Sequence, residues 1–222
     1  TSPGAAGCGR RDPGIRDPGP RRDVSTEALH VGNERDDFTI GPRVNAGGRI
    51  GAADLGARCL ATDDPREAAA LAQRLDALNT ERREIEARVR EEAMAQAEAR
   101  GVDGPVVWAA AEGWHPGVVG LVASRLKDRL QRPVVALAPA EEGSAMLKGS
   151  GRSIEGFHLR DALADIAAAE PDLMERFGGH AMAAGLSLPR AHLERFVAAF
   201  AAGAQAALGS APEVQPVETD GS

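Results

Sequence analysis

The stretch VVWAAAEGWHPGVVGLVASRLKDRLQRPVVALA, Val106 to Ala138, decides the fold. Its two ends, VVWAAA (106–111) and PVVALA (133–138), are short apolar runs rich in valine, and each reads as a strand. Between them PGVVGLVASRLKDRL (116–130) reads as a helix started by Pro116, whose fixed φ suits a first helical position. Strand, helix, strand in that order is the unit of an α/β layer. Downstream, SAMLKGSGRS (144–153) reads as a strand ending in a loop. HLRDALADIAAA (158–169) reads as a helix, PDLMERF (171–177) as a shorter one, AAGLSL (183–188) as a strand and RAHLERFVAAFAAGAQAAL (190–208) as a last helix. Apolar strands spaced by amphipathic helices predict a small α/β domain with its sheet covered on at least one face.

Upstream, PREAAALAQRLDALNTERREIEARVREEAMAQAEAR carries no Gly or Pro between Pro65 and Gly101. Leu71, Leu75, Leu78, Ile85 and Val89 form a narrow apolar seam, and Asp63 or Asp64 offers an N-cap. A helix of about 35 residues is roughly 50 Å long, so it reads as a connector between two bodies or a face for a partner. Before it, FTIGPRVNAGGRIGAADLGARCLATDD (38–64) reads as an extended start, a glycine-rich turn, and a helix from about Ala52 to Leu60. Residues 1–37, with RDPG twice, and 209–222 have disordered or linker composition. The N-terminal segment also fits a remnant cut from its context.

The chain has 222 residues, 43% apolar, 27% charged and only 3% aromatic with no tyrosine, so its core is aliphatic. A net charge of −7 excludes general attraction to nucleic acid, and any phosphate binding must come from local Arg and Lys clusters. Cys8 and Cys59 form no metal-ligand spacing and fit a reduced, cytoplasmic setting. No apolar run approaches the roughly 20 residues that cross a bilayer, and no signal-peptide core opens the chain, so no membrane partner is expected.

Three loops carry candidate chemistry. KGSGRS offers Lys148, Ser150, Gly151, Arg152 and Ser153, where bare backbone N–H groups, hydroxyls and a guanidinium fork suit a phosphate. A polar turn between strand and helix fits the same residues. GPRVNAGGR offers Arg43, Asn45 and Arg49, or else a capped turn. GGHAMAAG offers Gly178, Gly179 and the titratable ring of His180, or else a helix stop with a surface histidine. His115 precedes a helix start, where it faces a cleft or simply bonds to its neighbours. Trp114 and Phe157 suit base stacking or the core. No HxxxH, HExxH, DxD or CxxC pattern, Walker loop or nucleophile elbow occurs, so no metal ligand is named and no hydrolytic centre can be assembled.

In their order, GPRVNAGGR, LNTERREIE, WHPGVVGLVASRL, GSGRS and GGHAMAAG resemble the C-terminal half of the catalytic core of the RecJ family. These are 5′→3′ single-stranded-DNA exonucleases of the DHH phosphoesterase superfamily. The resemblance covers about Phe38 to Leu208. It implies that 38–64 ends a DHH domain, that 65–101 is the connector helix, and that 102–208 is a small mixed-sheet DHH-associated domain with flanking helices. It implies that Ser150 and Arg152 hold the 5′-terminal phosphate, and that Gly178, Gly179 and catalytic His180 lie near the scissile phosphate. Arg43, Asn45 and Arg49 would face the same cleft, with Lys148 and His115 beside it. Single-stranded DNA and the missing N-terminal DHH domain are the implied partners. The family's Asp-x-Asp and Asp-His-His motifs have no counterpart before Arg43. The resemblance therefore implies a fragment: Mn²⁺ or Mg²⁺ would be bound by the missing DHH half, and none by this chain alone. A non-catalytic nucleic-acid or nucleotide-binding module, or a phosphodiesterase for oligonucleotides or cyclic dinucleotides, stays open beside it.

Overall fold

The long helix forms where its sequence predicts it, from Pro65 to Arg100, and is called α3. Asp64 caps it by accepting a hydrogen bond from the Arg66 amide, with Pro65 next in line. The computed structural model describes residues 40–209, so the readings made for 1–39 and 210–222 lie outside the described residues. Two shorter helices precede α3: α1 (Ile40–Ile50) and α2 (Asp54–Ala61). GPRVNAGGR is thus helical, which corrects the expectation of a glycine-rich turn. Its glycines serve close packing. A Cβ on Gly47 would stand 3.2 Å from Leu75 Cδ2, and one on Gly51 would stand 2.8 Å from Leu78 Cδ1. Losing those two β-carbons lets α1 lie directly on α3.

The seam of α3 serves two cores. Leu71, Ala72 and Leu75 pack with buried Cys59 of α2, while Val89, Ala93 and Ala97 pack on the α/β domain. Between them the helix is polar. Buried Asn79 accepts from Arg82, and Arg82 donates to Glu86 at 2.6 Å.

The sheet comprises β1 (Val107–Ala110), β2 (Val134–Pro139), β3 (Met146–Arg152), β4 (Arg176–Gly179) and β5 (Ala183–Pro189), in the order β1-β2-β3-β5-β4. β1 and β2 are parallel, joined by α4 (Val119–Leu130), and every other pair is antiparallel. Helices α5 (Leu159–Ala169) and α6 (Leu193–Leu208) complete the domain, the latter entered through a 3-10 turn at Arg190–His192. The α/β class with a mixed sheet and flanking helices is therefore observed.

The burial pattern explains the layers. β2 is buried at every residue because it is covered on both faces. Val135 and Leu137 face a core with Leu163, Phe196 and Phe200, while Val134, Ala136 and Ala138 face one with Val122 and Leu126 of α4. Beyond β3 the cover is one-sided. Ala184, Leu186 and Leu188 of β5 pack into the α5–α6 core, while Gly185 on the opposite face is exposed.

Two further expectations are corrected. KGSGRS is not a loop. Residues 148–152 lie inside β3, between β2 and β5, so the main chain serves ladder pairing on both sides. PDLMERF is not a helix but a turn followed by β4, because Arg176–Gly179 pairs with Ala184–Ser187. Helix propensity at Leu173–Glu175 yields to the hairpin, which buries Leu173 and Met174. The helix expected from Pro116 begins at Val119, after a turn in which His115 Nδ1 accepts from the Gly117 amide at 3.0 Å.

Candidate nucleic-acid interface

The uncovered face of β3, β5 and β4 floors an open cleft of about 610 Å³. Along β3 the side chains alternate, so Lys148, Ser150 and Arg152 share this face. Gly149 and Gly151 are turned to the other side, where Cβ atoms would press on Leu186 and Leu159. The walls come from Gly48 and Arg49 at the end of α1, Pro116 and Gly117 before α4, and Val119 and Gly120 within it. β4 and β5 contribute Arg176, Gly178, Gly185 and Ser187.

The electrostatics are one-sided. The lining includes Arg49, Lys148, Arg152 and Arg176 and no carboxylate. Arg152 Nη1 donates to Ser150 Oγ at 2.9 Å and to the Gly151 carbonyl at 2.7 Å, which fixes the guanidinium over the floor. Burial first, and then the neighbouring Arg49 charge, lower the Arg152 pKa below its ordinary value. An anion between these two cations relieves both costs.

Glycine makes the approach close. A Cβ on Gly120 would lie 3.0 Å from Ser150 Oγ and 3.1 Å from Arg152 Nη2. Gly117 meets the Arg49 carbonyl so tightly that a Cβ would stand 2.0 Å from its oxygen, and Arg49 Nη1 donates to the Gly117 carbonyl at 3.2 Å.

The sequence-named residues divide. Arg49, Lys148, Ser150, Arg152 and Gly178 line the cleft. Gly179 and His180 follow at the exposed hairpin end, where the His180 amide donates to the Ala183 carbonyl. Ser153 is buried and donates to the Phe157 carbonyl at 2.6 Å, away from the lining. Arg43 pairs with Asp76 of α3 at 2.8 Å, and Asn45 is exposed on α1. His115 lines a separate pocket of about 420 Å³ with Glu112, Glu141 and Glu142. Trp114 and Phe157 are both buried, Trp114 with its ring N–H donated to Glu92 at 2.7 Å.

Arg176 and Ser187 were missed. Reading PDLMERF as a helix hid the alternation of Arg-Phe-Gly-Gly, which is the signal that assigns Arg176 to a strand face. No group of three or more His, Cys, Asp or Glu that could hold a metal ion occurs among the described residues, so this donor set does not fit a divalent cation.

Comparison with known proteins gives the context. The DHHA1 domain family matches residues 103–206. The single-stranded-DNA-specific exonuclease RecJ of Salmonella typhimurium is 49% identical over 164 residues, which is 72% of this chain and 28% of that protein. The protein of the same name from Escherichia coli is 50% identical over 156 residues, 68% of this chain and 26% of that one. Solved structures of Thermus thermophilus RecJ in complex with Mg²⁺ and with Mn²⁺ each superpose with a TM-score of 0.72 at 33% identity. They cover 83% of this chain and 29% and 27% of theirs. The chain thus spans little more than a quarter of these relatives' length. Residues 103–206 match the DHHA1 domain family, and most of the chain is similar to part of the RecJ exonucleases.

Proposed function

We propose that this chain is the substrate-holding part of a RecJ-type 5′→3′ single-stranded-DNA exonuclease that serves DNA repair and recombination. The observation that carries the reading is the cleft in which Arg49, Lys148, Arg152 and Arg176 converge without a carboxylate. Arg152 presents a planar fork to the 5′-terminal phosphate, and Ser150 orients that fork and adds a hydroxyl donor. Gly178, Gly179 and His180 stand beside the scissile phosphate, where a bare backbone admits the nucleotide and the ring supplies a proton or a hydrogen bond. Arg49 neutralises charge from the opposite wall. Asn45 lies one turn before Arg49 on the exposed side of α1, Arg43 anchors that helix to Asp76 of α3, and His115 shapes the turn that Arg49 rests on.

The relatives' Mg²⁺ and Mn²⁺ belong, in this reading, to a DHH half outside the described residues. Single-stranded DNA and that half are the partners, and the setting is cytoplasmic. No described helix is long and apolar enough to cross a membrane. By itself the chain binds without cutting. Fluorescence anisotropy with 5′-phosphorylated and 5′-hydroxyl single strands tests the binding. Preference for the phosphorylated strand, lost in Arg152→Gln, supports the reading. Equal affinity for both strands overturns it. Purified chain is expected to leave a labelled strand intact in Mn²⁺, and cleavage to appear when the DHH half is supplied in trans.

A further inference from the structure

The strand register places three polar side chains in one row across the floor. Lys148 of β3 pairs with Ser187 of β5, and Ser187 pairs with Arg176 of β4. Cross-strand partners point to one face, so the row reads Lys–Ser–Arg over about 10 Å, two strand spacings. The next row on that face, about 7 Å along the strands, reads Ser150, Gly185, Gly178. Arg152, which leans back on Ser150, belongs with that second row.

Two independent observations suit the first row to a ligand. Ser187 is 8% exposed, lies between two cations, and its hydroxyl has no hydrogen-bond partner among the described residues. A buried hydroxyl left without a partner is costly, so a native structure retains one where something else satisfies it. Lys148 and Arg176 likewise make no ion pair among the described residues. Second, the two glycines beside the row are not required by packing. A Cβ on Gly178 would meet nothing within 4 Å, and one on Gly185 only the Gly149 carbonyl at 3.8 Å. Their bareness reserves space above the sheet.

Resting on the function proposed above, we infer a second anion subsite, formed by Lys148, Ser187 and Arg176, that takes an internucleotide phosphate of the strand whose 5′-terminal phosphate is held by Ser150 and Arg152. A separation of about 7 Å suits one nucleotide step, whose neighbouring phosphates are displaced around the strand as well as by its ~3.4 Å rise. The two subsites are therefore bridged by one step, over the glycine saddle. Ser187 donates to the diester oxygen, and the two flanking cations neutralise it. Because the internucleotide phosphate exists whatever the 5′ end carries, this subsite reads strand continuity and the first reads the terminus.

The test measures affinity of the full chain for 5′-phosphorylated and 5′-hydroxyl oligothymidylate by anisotropy across a salt series. Arg176→Gln alters an exposed side chain and is expected to weaken both strands alike, by about tenfold. It is also expected to flatten the slope of log K against log salt by roughly 0.7, one phosphate of a single strand. Ser187→Ala, checked for folding by circular dichroism, is expected to weaken both strands with the slope unchanged. Arg152→Gln is expected to penalise the phosphorylated strand selectively. If Arg176→Gln binds both strands as the unaltered chain does, with the same slope, while Arg152→Gln retains its selective loss, the second subsite is wrong and the first reading stands. If the unaltered chain shows no binding to either strand, the proposed function and this subsite fall together.

Discussion

Gly179 has φ of +148°, a conformation side chains avoid, and a Cβ there would lie 2.4 Å from the Ala183 carbonyl and 2.5 Å from Ala184 Cα. Its neighbour Gly178 has open space. The pair therefore separates two causes that a Gly-Gly motif merges. Gly179→Ala is expected to cost about 1–3 kcal/mol in urea denaturation, because the turn into His180 must strain or shift. Gly178→Ala is expected to change stability by less than about 1 kcal/mol and to weaken oligonucleotide binding instead. Ser150, Arg152 and the Gly-Gly-His run were legible in the sequence as residue types that suit a phosphate. What could not be read was how each is presented. Ser153 looks like one more hydroxyl donor in KGSGRS, yet it follows the end of β3, is buried, and donates to the Phe157 carbonyl. Period two within β3 puts Ser150 on the cleft face, and the end of that strand at Arg152 leaves Ser153 to the turn behind it.

Elements were legible where one local preference dominated. α3 has a cap, a proline and no breaker, so its ends fall where the sequence predicts them. β4 failed for the opposite reason. Leu, Met and Glu favour helix locally, but only pairing with β5 covers the inner face of the hairpin, and that partner lies beyond a turn. α1 failed because glycine read as a turn signal when its use was to let two helices touch. The edges of the sheet also differ in a way no periodicity announces. β1 is an edge strand, yet Gln96 of α3 donates to the Ala110 carbonyl at 3.1 Å and accepts from its amide at 3.2 Å. Arg100 donates to the Trp108 carbonyl and lies 3.8 Å from the centre of its ring. The connector helix thus stands in for a sixth strand. Gln96→Ala is expected to lower unfolding free energy by about 1–2 kcal/mol, measured by denaturant titration. An unchanged value would show that water serves that edge equally well.

At the scale of the whole molecule, charge is segregated. A chain of net charge −7 collects four cations at one cleft, so the proposed binding is expected to be local and to depend on ionic strength. With two or three phosphates neutralised, raising salt fourfold is expected to weaken single-strand binding roughly sevenfold to twentyfold. Much steeper behaviour would mean that the strand extends onto surface outside this cleft. The cleft is also divided between two bodies. Arg49 comes from the end of α1, which packs on Leu75 and Leu78 of α3, and the other three cations come from the sheet. Arg49 meets the α4 entry through the close backbone contact at Gly117 and one hydrogen bond, and Ile50 beside it packs against the core under α4. A polyanion seated across Arg49 and Arg152 therefore works as a splint. It ties α1 to the sheet through the ligand, and amide exchange at residues 79–84, the polar stretch of α3 between its two apolar cores, is expected to slow when a strand is loaded.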